Sequence, residues 1–382
     1  MLKSLILRHY RRFAPALDLA GEAYARAVVG YESFDRHNLA TQAEVAEELS
    51  RALGARSTFE LWRLGKRWET TFAGWCGRAH GVGTASGTAA LTITLAALGV
   101  GPGDEVITSA HTFIATLLAI RNVGATPVLV DPDRGDLCMR AEAVRRAMTG
   151  RTRAIVPVHM HGHVAEVEPM LRLGVPVVED CAQAHGARLG RRVPIGPIGC
   201  FSFFASKPLG GAGNGGMIVT DDEALAARCD ELRDPEGAGA VRGRTPSYAD
   251  PLQAALLTAR LPKLDDWRAA RAANADAYRR ALGAFSPVVP APGVESTWYS
   301  FVVRIDDRDA VKAKMLVSGV ETKIEYATPV HLAPSMADLG WRRGDFPVAE
   351  EAAARGLSLP VHPFLAETER AKVIRAFRGA VG

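Results

Sequence analysis

Between Thr84 and Thr220 the chain alternates short apolar runs with helical stretches. The runs are "DEVITSA", "TPVLVD", "RAIVPVHMHG", "VPVVED" and "GCFSFFAS", all rich in Val, Ile or Phe. Strands this apolar on both faces must be covered on both faces, and intervening helices do that. The pattern predicts an α/β domain built on a mostly parallel, buried sheet. "TASGTAALTITLAALGV" reads as an apolar helix that stops in the Gly-Pro cluster from Gly99 to Gly103. A second helix through "RLGKRWETTFAGWCG" places Trp68, Phe72 and Trp75 or Cys76 on one face.

A length of 382 residues suits a large domain with a smaller one attached. Residues 1–55 read as a helical N-terminal extension and 56–250 as the large domain. Residues 251–382 read as a small α+β domain. The Gly-, Pro- and Arg-rich stretch "PEGAGAVRGRTPSYADP" predicts a loop. The long helix after it is expected to break at Pro262. "TWYSFVVRID" reads as a strand and "RDAVKAKMLVSGV" as a helix closed by glycine.

A net charge of +4 without a Lys/Arg block gives no footprint for nucleic acid. No run of eighteen apolar residues exists, so no membrane span is expected. The basic N-terminus "MLKSLILRHYRRF" reads as a surface amphipathic helix in preference to a transit peptide. Five scattered cysteines without a C-x-x-C pair suggest a reduced, cytoplasmic protein and no thiolate metal site.

Three local patterns carry chemistry. "VPVVEDCAQAHGA" sets Glu179 and Asp180 at the carboxyl end of a strand, where open parallel sheets bind ligands. "GTASGTAAL" brings Ser86, Gly87, Thr88 and Ala89 to a helix start, a cradle of N–H groups for an anion. "SFFASKPLGGAGNGG" puts Ser202 and Lys207 between a strand and a glycine-rich loop. Only eight of the 46 basic residues are lysine, which makes a chance lysine at this place less common. A strand-end acid, a phosphate cradle and a lysine are the parts that pyridoxal 5'-phosphate (PLP) requires. The lysine meets the aldehyde, the acid keeps the ring nitrogen protonated and the N–H groups hold the phosphate.

Two other patterns weigh less. Gly81-x-Gly83-x-x-x-Gly87 is one residue off a dinucleotide fingerprint and follows a helical stretch where a strand is needed. "HMHGH" would put His159, His161 and His163 on one face of a strand, a set that could hold a metal. Gly162 interrupts that strand, and the reading is a strand-end loop with no metal.

The chain resembles the DegT/DnrJ/EryC1/StrS aminotransferases, enzymes of the aspartate-aminotransferase fold (fold type I). "SGTAAL", "GVGPGDEVITSAHTFIAT", "GATPVLVD", "VVEDCAQAHGA", "FSFFASKPLGGAGNGG", "TPVHL" and "LSLP" carry the resemblance in order. It implies that Lys207 bonds the PLP aldehyde and serves as acid/base. Asp180 would pair with the ring nitrogen, Gln183 lie near the ring hydroxyl and Phe113 stack on the ring. Gly87, Thr88, Ala89 and Ser202 would contact the phosphate. His185, Tyr326 and His331 are the substrate-side candidates, with a local structural role as the other reading of His185. The implied partners are an amino donor, glutamate or glutamine, and a ketone on a nucleotide-sugar, cyclitol or related intermediate. The active site would be shared in a homodimer.

The chain departs from the family pattern in three places. Pro246 and Tyr248 stand where Asn and Arg are usual, with Arg242, Arg244 and Ser247 nearby. Asn214 stands where an acid follows the lysine, and Tyr299 where a histidine is common. The competing readings are elimination, dehydration or cyclisation on the same cofactor, and a non-catalytic partner subunit. The dehydrating relatives replace the lysine with histidine, so Lys207 argues against that branch.

Overall fold

The computed structural model describes residues 28–234 and 246–382. Seven strands form the main sheet: β1 (His80–Thr84), β2 (Glu105–Ser109), β3 (Thr126–Val130), β4 (Thr152–Val156), β5 (Glu179–Asp180), β8 (Ile198–Ser202) and β9 (Gly216–Thr220). A small hairpin, β6 (Arg188–Leu189) with β7 (Arg191–Arg192), lies between β5 and β8. The order across the sheet is β1-β9-β8-β5-β4-β2-β3. Parallel bridges Ile155–Val177 and Val158–Asp180 join its two halves. β9 runs antiparallel to both neighbours and the remaining pairs are parallel. Helices cover both faces, which buries β2 and β9 along their whole lengths.

The local signals explain the elements. Ser86 caps the helix Gly87–Ala97 by accepting from Ala89 N–H. The helix ends with Gly99 at φ +78° while Val100 N–H donates to Leu95 C=O, a left-handed terminus that suits glycine. The helix Thr58–Trp75 starts on a Ser57 cap and buries Trp68 and Phe72. Asp250 caps Pro251–Arg260, and a 3-10 turn over Leu261–Lys263 breaks the helix at Pro262 before Leu264–Leu282.

A second core gathers around β10 (Phe301–Arg304) and β11 (Gly356–Leu359), which pair antiparallel. Leu264 and Trp267 belong to the large core, while Ala275, Tyr278 and Leu282 belong to the small one. The two cores therefore meet within one helix, past residue 251. Upstream, the described part of the N-terminal segment holds helices Phe34–Leu39 and Gln42–Leu53. Val29 pairs with Val320 of the small core. The basic stretch before residue 28 lies outside the described residues, as do Arg242 and Arg244.

Candidate active site

The carboxyl ends of β5 and β8 and the start of the helix Gly87–Ala97 surround one cavity of about 460 Å³. Gly87, Thr88, Phe113, Asp180, Gln183, Ser202, Lys207 and Tyr326 all line it. Residues between 86 and 214 are thus brought together around the ends of the sheet strands, the place where open α/β sheets bind ligands, and Tyr326 joins them from the small core's side.

Asp180 is 7% exposed, the last residue of β5. Its Oδ1 accepts from Ala182 N–H at 3.1 Å and its Oδ2 from the Thr116 hydroxyl at 2.9 Å. Neither donor is a cation. Burial raises its carboxyl above the usual range, and the two hydrogen bonds and Lys207 pull against that rise. Lys207 follows β8, and its backbone N–H closes a turn onto Phe204 C=O. Burial lowers its amine below that of a free lysine, while the negative charges of Asp180 and Glu325 oppose the change. Its Nζ lies 4.9 Å from the centre of the Tyr299 ring.

The start of the helix Gly87–Ala97 also lines the cavity. Gly87 and Thr88 are the first two residues of their helix, where backbone N–H groups have no partner within the helix. Gly87 abuts β8 so closely that an added Cβ would sit 2.8 Å from Ser202 Cβ. Ala89 differs from the expectation: its N–H is engaged by Ser86 Oγ and it does not line the cavity. Gln183 is fixed at both ends. Its Oε1 accepts from His161 N–H at 2.7 Å, and its Nε2 donates to the Tyr326 hydroxyl. Phe113 stands at the mouth with 57% of its surface exposed.

Two substrate-side candidates lie elsewhere. His185 is fully buried behind β8, packed against Phe72, Phe201 and Phe203, and burial brings its imidazole down to about 3. Its two ring nitrogens have no protein partner. It is a neutral core histidine in this structure, which corrects the substrate-side reading and agrees with the structural one. His331 is buried as well: Nε2 lies 3.0 Å from a Glu350 oxygen and the ring packs edge-on to Phe346. Tyr326 does reach the cavity.

The three histidines of "HMHGH" do not share a face. A 3-10 turn over Met160–Gly162, with His161 at φ +57°, replaces the strand. His159 pairs with Glu179 at 2.8 Å, an acidic partner that the sequence did not reveal. Because His159 Nδ1 accepts from Ala165 N–H, its Nε2 carries the proton given to Glu179. His163 bonds Ser296.

Sequence reasoning missed Thr116, Lys323 and Glu325. Thr116 sits one helical turn from Thr112, and their hydroxyls are 2.9 Å apart, a spacing that could have flagged it. Lys323 and Glu325 carry no such signal, since they come from the small core. Of the departures, Asn214 and Tyr299 line the cavity. Ser247, the buried neighbour of Pro246, accepts from Ala85 N–H at 2.9 Å.

A half-buried lysine and a buried aspartate, joined in one cavity to a helix start with free N–H groups, suit a site of the aminotransferase class. The chain belongs to the DegT/DnrJ/EryC1/StrS aminotransferase family, whose profile matches residues 40–378. It is 44% identical over 323 residues to the erythromycin biosynthesis sensory transduction protein EryC1 of Saccharopolyspora erythraea, covering 81% of this chain and 88% of that one. It is 41% identical to the dTDP-3-amino-3,4,6-trideoxy-α-D-glucose transaminase of Streptomyces venezuelae, covering 81% and 85%. The solved structure of S. venezuelae DesV superposes with a TM-score of 0.87 at 36% identity, covering 92% of this chain and 98% of that one. A family member from Brucella abortus superposes at 0.83 with 30% identity, covering 91% and 98%.

Proposed function

We propose that the protein is a PLP-dependent aminotransferase that moves an amino group from glutamate or glutamine to a ketone on a nucleotide-linked sugar. One observation carries the reading. Asp180 is a buried carboxylate bonded only by neutral donors, in the same cavity as the half-buried Lys207. A protonated pyridine nitrogen is the cation such an acid fits. The transaminases and sugar aminotransferases among the relatives support the substrate class.

When bound, PLP supplies an aldehyde that takes an amine and a ring that accepts the electron pair left by a departing proton. Gly87 and Thr88 N–H groups with the Ser202 hydroxyl would hold its phosphate. Asp180 would face the ring nitrogen, Phe113 stack on the ring, and Gln183 keep one Nε2–H for the ring hydroxyl. Lys207 holds its amine neutral more readily than a free lysine does, so Nζ can take a proton from a substrate carbon and return it. Thr116 fixes the rotamer of Asp180. We also infer a cytoplasmic homodimer in which a second copy closes the cavity mouth. Phe113 and Phe204, which line the cavity and are each more than 40% exposed, support that closure.

Purified protein loaded with PLP should turn glutamate or glutamine into its keto acid and hold the amino group as pyridoxamine phosphate. A nucleotide-linked keto sugar should then discharge it, with the amino sugar detected by mass spectrometry. Loaded protein that no amino donor converts would rule out transamination.

A further inference from the structure

We propose that Glu325 is the specificity-determining residue for the sugar, held in place by Tyr31, and that it selects neutral, hydroxyl-bearing keto-hexoses over sugar acids. The inference rests on the keto-sugar reading above. Glu325 lines the cavity with Lys207, Tyr299, Lys323 and Tyr326, and its side chain is 9% exposed. It lies two residues beyond Lys323, whose backbone exchanges hydrogen bonds with Ser358 of β11 at 3.0 and 2.8 Å. Alternation along this extended stretch turns residues 323 and 325 to the same side.

The N-terminal segment reaches across to this wall. Val29 N–H donates to Gly319 C=O and Val29 C=O accepts from Glu321 N–H, both at 3.0 Å. That pairing places Tyr31, whose hydroxyl donates to Glu325 Oε1 at 2.7 Å. Lys323 Nζ lies 3.4 Å from Glu325 Oε2 and 3.4 Å from Glu32 Oε1. One cation is thus shared by two carboxylates, of which Glu325 lines the cavity and Glu32 lies behind it. A carboxylate offers about four acceptor positions, and Tyr31 and Lys323 engage one on each oxygen. A largely buried acceptor with positions to spare requires donors. Neighbouring sugar hydroxyls supply them, whereas a substrate carboxylate placed there meets repulsion from Glu325, beside a lysine that two carboxylates already engage.

The test compares half-reactions of the PLP-loaded protein, read as loss of the cofactor's aldehyde-form absorbance. The probes are glutamate and a panel of dTDP- and UDP-linked amino sugars, neutral 3-amino-hexoses beside a 3-amino-hexuronate. The wild type should favour a neutral sugar over the hexuronate. Glu325→Gln should raise half-saturation for the neutral sugar by about tenfold or more, the scale of a lost hydrogen bond to a charged group. The same change should narrow the margin over the hexuronate, with no rise in half-saturation for glutamate, which carries carboxylates of its own. Tyr31→Phe should shift the sugar in the same direction by less. An unaltered Glu325→Gln, equal weakening toward glutamate and sugar, or a wild type that prefers the hexuronate overturns the inference. A wild type that converts glutamate but no panel sugar overturns the keto-sugar reading and this inference with it.

Discussion

Lys207 and Asp180 oppose each other's burial. Burial disfavours the charged form of each, and the charge of each favours the charged form of the other. The sign of an Asp180→Asn change follows. Losing the negative charge removes support for protonated Lys207, so its titration moves further below the 10.5 of a free lysine. The rate of PLP capture by cofactor-free protein should rise with pH to a midpoint below that value, and to a lower midpoint in Asp180→Asn. Turnover in the variant should fall by about 10²–10⁴-fold, the usual worth of a catalytic acid–base arrangement. Stopped-flow absorbance across pH checks the first point; a midpoint that stays put contradicts it. The pair was legible in the sequence because Asp180 ends an apolar strand and Lys207 follows another. His185 was ambiguous because it stands two positions from Gln183. The aromatic rings that enclose it come from β8 and from the helix Thr58–Trp75, which no local spacing announces.

At the scale of elements, the helix Gly87–Ala97 and β8 must touch for the anion end to form. An added methyl at Gly87 would meet Ser202 Cβ at 2.8 Å and Ser202 Cα at 3.3 Å. Gly87→Ala should cost about 1–3 kcal/mol in stability, the range for overpacking. It should weaken PLP far more than pyridoxal, which lacks the phosphate. Denaturant titration and cofactor titration check this; equal losses for both cofactors contradict it. The strands were readable because buried parallel strands are continuously apolar. Gly162 marked "HMHGH" as a strand-end loop, but the shape of its turn was not readable, since the bonds that set it reach Gln183 and Ser296 from distant segments. The apolar runs likewise could not reveal that β9 runs against both neighbours.

On the scale of the whole molecule, the cavity divides by origin. Its cofactor side comes from consecutive β-strand ends between residues 84 and 216, and local patterns exposed nearly all of it. Its other wall joins Tyr299, Lys323 and Glu325, with Tyr31 bonded to Glu325 from nearly 300 positions away. Pairing across such a distance depends on the N-terminal segment joining the small core through Val29, so the sequence could not assemble it. The exposed apolar residues near the mouth belong to the same scale. Sedimentation equilibrium should give twice the 40.8 kDa chain mass, and a monomer at micromolar concentration would contradict the shared site.

The central claim is that Lys207 is the amine that bonds the cofactor. Borohydride reduction of PLP-loaded protein, followed by peptide mass spectrometry, tests it most directly. The predicted result is one pyridoxyl phosphate group per chain, on the peptide carrying Lys207, and none in Lys207→Ala. A label on another lysine, or no label on a protein shown to bind PLP, would contradict the account.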